Sequence, residues 1–222
     1  MCFSASASFT STVVLAAVGL ATVLQAKDKK ILAWAMTPCF FAFQQFMEGI
    51  IWLTHDAPDW ELTLKFATYV FLIFALFLWP MWLPWSVYIT ERNTHRKKMI
   101  FGCIISGCVV ALMGVIDSFV TQLYGFKIQK NICYAITSII CSESSIGVTW
   151  NYFMVGFYAI ATTLPFFFSS LRYAWIVGVV SVLSIVVAQG FYPYGFASVW
   201  CFFAALSSLT IYFVVRAYRK TS

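Results

Sequence analysis

FQQFMEGIIWLTH, Phe43–His55, sets two glutamines and a glutamate inside a run that is otherwise apolar enough to cross a bilayer. The chain around it has 222 residues, is 62% hydrophobic and only 10% charged, and has a mean hydropathy of +0.86. Soluble domains carry about 25% charged residues, so this composition points to an integral membrane protein. A spanning helix needs roughly 20 apolar residues. The polar breaks leave seven predicted spans, at about 5–25, 31–54, 62–89, 99–120, 148–169, 173–193 and 195–217. The expected fold class is therefore all-α, a seven-transmembrane-helix bundle forming a single domain over 1–222, with no internal repeat and no room for a separate soluble domain.

Basic residues set the expected orientation. The opening MCFSASASFTS has no positive segment, and the first basic cluster, Lys27, Lys29 and Lys30, follows the first apolar run. That order argues against a cleaved signal peptide and for an N-terminus outside. The inner segments then hold Lys27, Lys29, Lys30, Arg92, Arg96, Lys97, Lys98, Arg172, Arg216, Arg219 and Lys220, and the outer segments hold only Lys65, Lys127 and Lys130. This positive-inside bias predicts a cytoplasmic C-terminus. The net charge of +6 is thus a matter of topology and of attraction to anionic lipid heads, with the bilayer as partner and no nucleic acid.

In that topology the polar groups inside the spans gather in the outer layer. Gln44, Gln45 and Glu48 lie past the middle of the second span, with Trp52 and His55 at its outer end. Asp117 closes the fourth span, Asn151 opens the fifth, and Gln189 lies at the outer end of the sixth. On a helical wheel Phe41, Gln44, Gln45, Glu48, Trp52 and His55 share an arc of about 100°, and Phe43, Phe46, Met47, Ile50 and Leu53 fill the opposite, lipid-facing side. An ionisable group at the helix centre costs about 2.5–3.5 kcal/mol on insertion scales, so Glu48 is expected to face the interior of the bundle. Burial disfavours the charged form, which makes a protonated, hydrogen-bonding carboxyl the expectation unless a cation or metal sits beside it. The plainer role for Gln44, Gln45 and Glu48 is interhelical hydrogen bonding, worth roughly 0.6 kcal/mol per bond.

LWPMWLPW, Leu78–Trp85, places Pro80 and Pro84 four residues apart. Neither can donate to the carbonyl one turn back, so the third span should bend or open there. Trp79, Trp82 and Trp85 are expected in the aromatic belt of the inner interface. Ser4, Ser8, Ser11, Ala16 and Gly19 in the first span are small residues suited to close helix packing.

The segment 121–147 is the longest connection and lies outside. Its NICYAITSIIC stretch suits a short hairpin, and the whole segment could serve as a lid. Cys133 and Cys141 within it are candidates for a disulfide in an oxidising compartment. Cys39, Cys103 and Cys108 read as small apolar residues, whereas Cys2 and Cys201 lie near the outer end. An N-terminal Cys2 beside His55 and Glu48 would be a weak candidate metal chelate.

The chain has only two histidines, His55 and His95, both at or beyond span ends. That excludes a bis-histidine haem within the bundle and a three-histidine zinc hydrolase. Gly195–Ala217 contains no lysine for a retinal Schiff base. Gly-rich phosphate loops, HExxH and GxSxG are missing too. No cofactor and no oligomeric state can be read from the residues.

Through MCFSASASF, QQFMEGIIW and WPMWLP the sequence resembles an uncharacterised family of bacterial multipass membrane proteins. The resemblance implies Cys2, Phe3, Ser4, Gln44, Gln45, Glu48, Gly49, Trp52, Trp79, Pro80 and Pro84 as signature positions, and a bacterial inner (plasma) membrane as location. It implies no activity. The function expected from the residues is binding of a small ligand, ion or proton in a polar pocket open to the outside, as a sensor or transporter. The alternatives are a structural or assembly membrane protein, and an intramembrane enzyme using Glu48 or Asp117 as acid or base.

Overall fold

The computed structural model describes residues 4–120, 125–128, 131–134, 145–191 and 196–221, with side chains over 4–116, 152–191 and 199–220. The helices are α1 Ala5–Gln25, α2 Lys29–Thr54, α3 Glu61–Ile73, α4 Trp79–Thr90, α5 Thr94–Val120, α6 Ser145–Phe168, α7 Ala174–Phe191, α8 Phe196–Ser207 and α9 Leu209–Thr221. A 3₁₀ turn, Pro58–Trp60, precedes α3, and a π-helical turn, Phe74–Leu78, joins α3 to α4. One antiparallel hairpin, β1 Gly125–Ile128 with β2 Asn131–Tyr134, pairs Phe126 with Cys133. It takes only NICY from the stretch expected to form it, the other strand coming from upstream.

Five helical segments are long and apolar enough to cross a membrane: Ala5–Gln25, Pro58–Thr90, Thr94–Ile116, Ala174–Phe191 and Val199–Lys220. Their outward sides are apolar, with Leu20, Leu24, Phe66, Ile105, Leu183 and Phe213 all exposed. Such an extent of exposed hydrocarbon marks a membrane protein. The described apolar part of α6, Tyr152–Phe168, is shorter.

α2 is 26 residues long but is not one of the five, because Gln44, Gln45 and Glu48 dilute its hydropathy. It is the interior helix, touching α1, α3, α4, α8 and α9. A helix enclosed by protein can hold polar groups that a lipid-facing one cannot. α1 is the opposite case. It buries a single stripe, Ser8, Ser11, Leu15, Gly19 and Thr22, against α2, where Gly19 meets Cys39 and the Phe9 ring covers Gly49. On α2 itself Phe43, Phe46 and Leu53 face outward as expected, but Met47 is buried, since neighbours on several sides leave α2 a narrower outer face than its wheel suggests.

The proline pair produces two different effects. Pro80 lacks an N–H, and the preceding turn widens so that the Trp79 N–H reaches Phe74 O, five residues back. Pro84 leaves the Pro80 carbonyl without its usual helical donor, and α5 packs Gly107 directly against that carbonyl. The π turn rotates Trp79 into the core at 0% exposure, which corrects its expected place in an aromatic belt; Trp85 alone of the three is exposed. Among the cysteines, Cys103 is buried, Cys39 half-buried and Cys108 exposed on the outer face of the bundle.

A polar clasp holds one end of the bundle. Asn93 caps α5 by accepting from the backbone N–H groups of His95 at 2.9 Å and Arg96 at 3.1 Å. Beside it Glu91, 4% exposed, accepts from the N–H of Ser170 at 2.7 Å, Asn93 at 2.8 Å and Arg92 at 2.9 Å, and from the Ser170 hydroxyl at 2.9 Å. The α4–α5 loop is thereby tied to the α6–α7 loop. Burial pushes the Glu91 carboxyl up, but the donors from Asn93, Ser170 and Arg92 outweigh it and hold the group below its ordinary value of 4.5. In the same way Asp28 caps α2 through the Lys30 N–H at 3.0 Å and accepts from the Tyr218 hydroxyl at 2.8 Å, joining the α1–α2 loop to α9.

Two outcomes are expected from this packing. Gly107→Ala drives a methyl into the Pro80 carbonyl and should cost about 1–3 kcal/mol in detergent unfolding, whereas Gly102→Ala, which meets open space, should cost nothing. The Glu91 contribution is complete above the ordinary glutamate value of 4.5 and disappears as pH falls through the lower folded value. Melting temperature against pH should therefore drop on the acid side in the wild type, and Glu91→Gln should flatten that drop.

Candidate functional site

Gln44, Gln45 and Glu48 are 0% exposed, on the side of α2 that faces α3, α4 and α8. Gln44 bonds through both ends of its amide: its Oε1 accepts from Trp79 Nε1 at 2.7 Å, and its Nε2 donates to Cys201 Sγ at 3.4 Å and to the Phe71 carbonyl at 3.5 Å. Trp79 also stacks on Phe41, with ring centroids 3.7 Å apart and 14° between planes. Two further indoles join α2 to α4 below it: Trp82 donates to Thr37 Oγ1 at 3.2 Å, and Trp34 to the Ser86 carbonyl at 2.9 Å.

Gln45 is arranged differently. Its Nε2 donates to Glu48 Oε2 at 3.1 Å, and its Oε1 is buried with no partner among the described residues. Glu48 lies within electrostatic reach of Cys201, and Cys201 of Tyr158. Tyr158 packs edge-on against Trp200 with centroids 4.9 Å apart. The Tyr158 hydroxyl, Trp200 Nε1, Thr68 Oγ1 and Ser8 Oγ are likewise buried and without a partner among the described residues. These groups come from α1, α2, α3, α6 and α8. Buried polar atoms are nearly always paired, and one left alone costs about 1–3 kcal/mol, so the Gln45 Oε1 beside Glu48 is suited to a polar guest.

Among the predicted site residues, the structure therefore brings Gln44, Gln45 and Glu48 together. Trp52, one turn on, is half-buried and packs against the core; His55 is the C-cap of α2, with a buried Nδ1 lacking a partner among the described residues. Gln189 is half-buried on α7 and makes no hydrogen bond to Gln44 or Gln45. Asp117 lies on α5 and Asn151 on α6, but their side chains fall outside the described residues. Cys2, Cys141 and most of the expected lid also lie outside them, while the backbone of Cys133 is on β2. No three of His, Cys, Asp and Glu converge among the described residues. Neither of two cavities further along α2 includes Gln45 or Glu48 in its lining.

Sequence reasoning missed Trp79, Tyr158 and Trp200 as members of this group. Only Trp79 had a signal, the proline after it, because a residue before a disrupted turn is free to be redirected. Tyr158 and Trp200 lie in uniformly apolar runs where every aromatic reads alike.

Trp79→Phe strands Gln44 Oε1 and should cost about 1–3 kcal/mol. Adding Gln44→Met should recover part of that loss, since removing both partners leaves no orphan; strictly additive losses would show that the two side chains are not coupled.

No curated protein and no solved structure matches the chain. The chain belongs to a family of unknown function, DUF6629, whose family model matches residues 1–222.

Proposed function

We propose that the chain is a seven-span protein of a bacterial inner membrane, N-terminus outside and C-terminus cytoplasmic, in which Glu48 and Gln45 bind a small ligand, ion or proton in a sensor or transporter. Counting α2 as an enclosed span, and α6 as another, adds two to the five apolar segments. The bonds Asp28–Tyr218 and Glu91–Ser170 each join two of the basic segments assigned to the cytoplasm, which supports their sharing one side.

The burial of Glu48 is the observation on which the reading rests. Among the described residues the buried charged side chains are Glu48 and Glu91, and only Glu91 lies outside the spans. Gln45 Nε2, a neutral amide, donates to Glu48, and no lysine or arginine is buried among the described residues. A carboxyl in such a place exchanges a proton or takes a small cation. The close packing around α2 favours the smallest guest, a proton or a single ion. Two interrupted helices, α3–α4 at Phe74–Leu78 and α8–α9, pack on α2, an arrangement that suits transport sites. The structural-role reading has its own support in Gln44, whose bonds are complete and whose task is packing.

The test compares wild type with Glu48→Gln, purified gently into nanodiscs, by native mass spectrometry, metal analysis and pH titration of tryptophan fluorescence. The variant should melt at the wild-type temperature and lose both any co-purifying ligand and the pH-dependent change. Identical ligand content and identical titrations in two equally folded proteins would overturn the proposal.

A further inference from the structure

Two cavities lie on one seam between α2 and the broken helix α8–α9. The inner-core cavity, about 10 Å³, is lined by Thr37 and Phe41 of α2, Ser181 of α7, and Trp200, Ser207 and Ser208 at the break. That is room for a single water molecule. Its walls are mostly apolar, with Leu83, Phe166, Val177 and Ala204 also lining it, and its few polar groups are mainly acceptors. The hydroxyls of Thr37, Ser207 and Ser208 spend their protons on the carbonyls of Ala33, Ala204 and Ala205, and so present lone pairs. Trp200 Nε1, in a residue only 2% exposed, supplies a donor that has no partner among the described residues. The back-bonding hydroxyls also explain the break, because they bend a helix where they compete for its carbonyls.

The second cavity, about 250 Å³, lies at the basic end and is lined by Lys27, Asp28 and Ile31 on one side and Val215, Tyr218 and Arg219 on the other. The two are in register. Ile211 lines the first and Val215, one helical turn on, lines the second. Thr37 and Ile31 on α2 are separated by about 9 Å at 1.5 Å per residue. Ile211 of the first lining and Ile31 and Val215 of the second are all 2% exposed or less. In the other direction Phe41 precedes Gln44 and Gln45 by one turn, and Trp200 adjoins Cys201, which Gln44 holds.

We propose that this seam is the inner access path by which protons carried on water reach the Gln45–Glu48 pair, with one water at the α8–α9 break and Ile31, Ile211 and Val215 as its closure. The proposal rests on the reading of Glu48 as a proton or ion site. The step is a simple protonation: a proton from water adds to a carboxylate oxygen of Glu48, and its return to water restores the anion. Cys201 of α8 lies within electrostatic reach of Glu48, and Tyr158 of α6 within reach of Cys201. Lys27, Asp28, Tyr218 and Arg219 stand at the mouth.

Infrared difference spectroscopy of the full chain in nanodiscs tests this. The protonated carboxyl band missing in Glu48→Gln identifies Glu48, and its shift after transfer to D₂O reports how fast the site exchanges. Val215→Ala, which thins the closure, should speed the shift about tenfold, as about 1.4 kcal/mol off an opening barrier would. Ile211→Val should act in the same direction should Val215→Ala fold poorly, and Ser181→Val, which fills the small cavity, should slow the shift. Leu20→Ala on the exposed face of α1 should leave the rate unchanged. A Glu48 band whose exchange ignores all three seam substitutions would overturn the path and leave the Glu48 site standing. The lack of any Glu48-dependent band across the pH range would overturn the site, and the path with it.

Discussion

The hydrogen bond from Trp79 Nε1 to Gln44 Oε1, at 2.7 Å, joins the two features on which the rest of the bundle depends. One is a helix, α2, too polar to face hydrocarbon; the other is a helix pair, α3–α4, disrupted by proline. In an apolar surrounding each polar group must find its partner within the protein. Pro80 opens a π turn, the turn redirects Trp79 inward, and Trp79 satisfies the acceptor that α2 brings to the core. Trp82 on Thr37 and Trp34 on Ser86 repeat the device along the same antiparallel seam. α2 can then serve as the centre against which α1, α3, α8 and α9 pack.

On the proposed reading, this division separates stability from function within one short stretch of α2. Gln44 has both amide protons and its oxygen engaged and belongs to the scaffold. Gln45 and Glu48, on the same helix, leave an amide oxygen with no partner among the described residues and a carboxyl that accepts from a neutral donor. The clasp at the basic end shows what a carboxyl held for structure looks like. Glu91 accepts four hydrogen bonds from two loops and is stabilised as an anion. Glu48 accepts from the neutral amide of Gln45, and on the proposed reading it is the group whose protonation changes.

Much of the helical layout was legible in the sequence because it follows from hydropathy alone: α1 matches the expected 5–25, and α5 and α7 lie close to their expected spans. The inward face of α2 was legible too, since a 3.6-residue period places Gln44, Gln45 and Glu48 together. Other features depend on tertiary geometry. Met47 belongs to the apolar arc of α2 yet is buried, because enclosure on several sides is a property of the neighbours. Trp79 has the composition of an interface aromatic and becomes a core donor only through the π turn. Glu91 reads as an ordinary loop acid, and nothing in the local sequence shows that Ser170, 79 residues later, donates to it twice. Trp200 stands in a featureless apolar run, and its place on a small cavity follows from the break at Ser208.

The account stands most directly on whether the buried Glu48 exchanges a proton. Counting protons released and bound as equally folded wild-type and Glu48→Gln proteins are titrated in nanodiscs would decide it. The account predicts that the wild type takes up an additional proton per chain on the acid side, a difference traceable to this one group. Superimposable titration curves from the two proteins would contradict it.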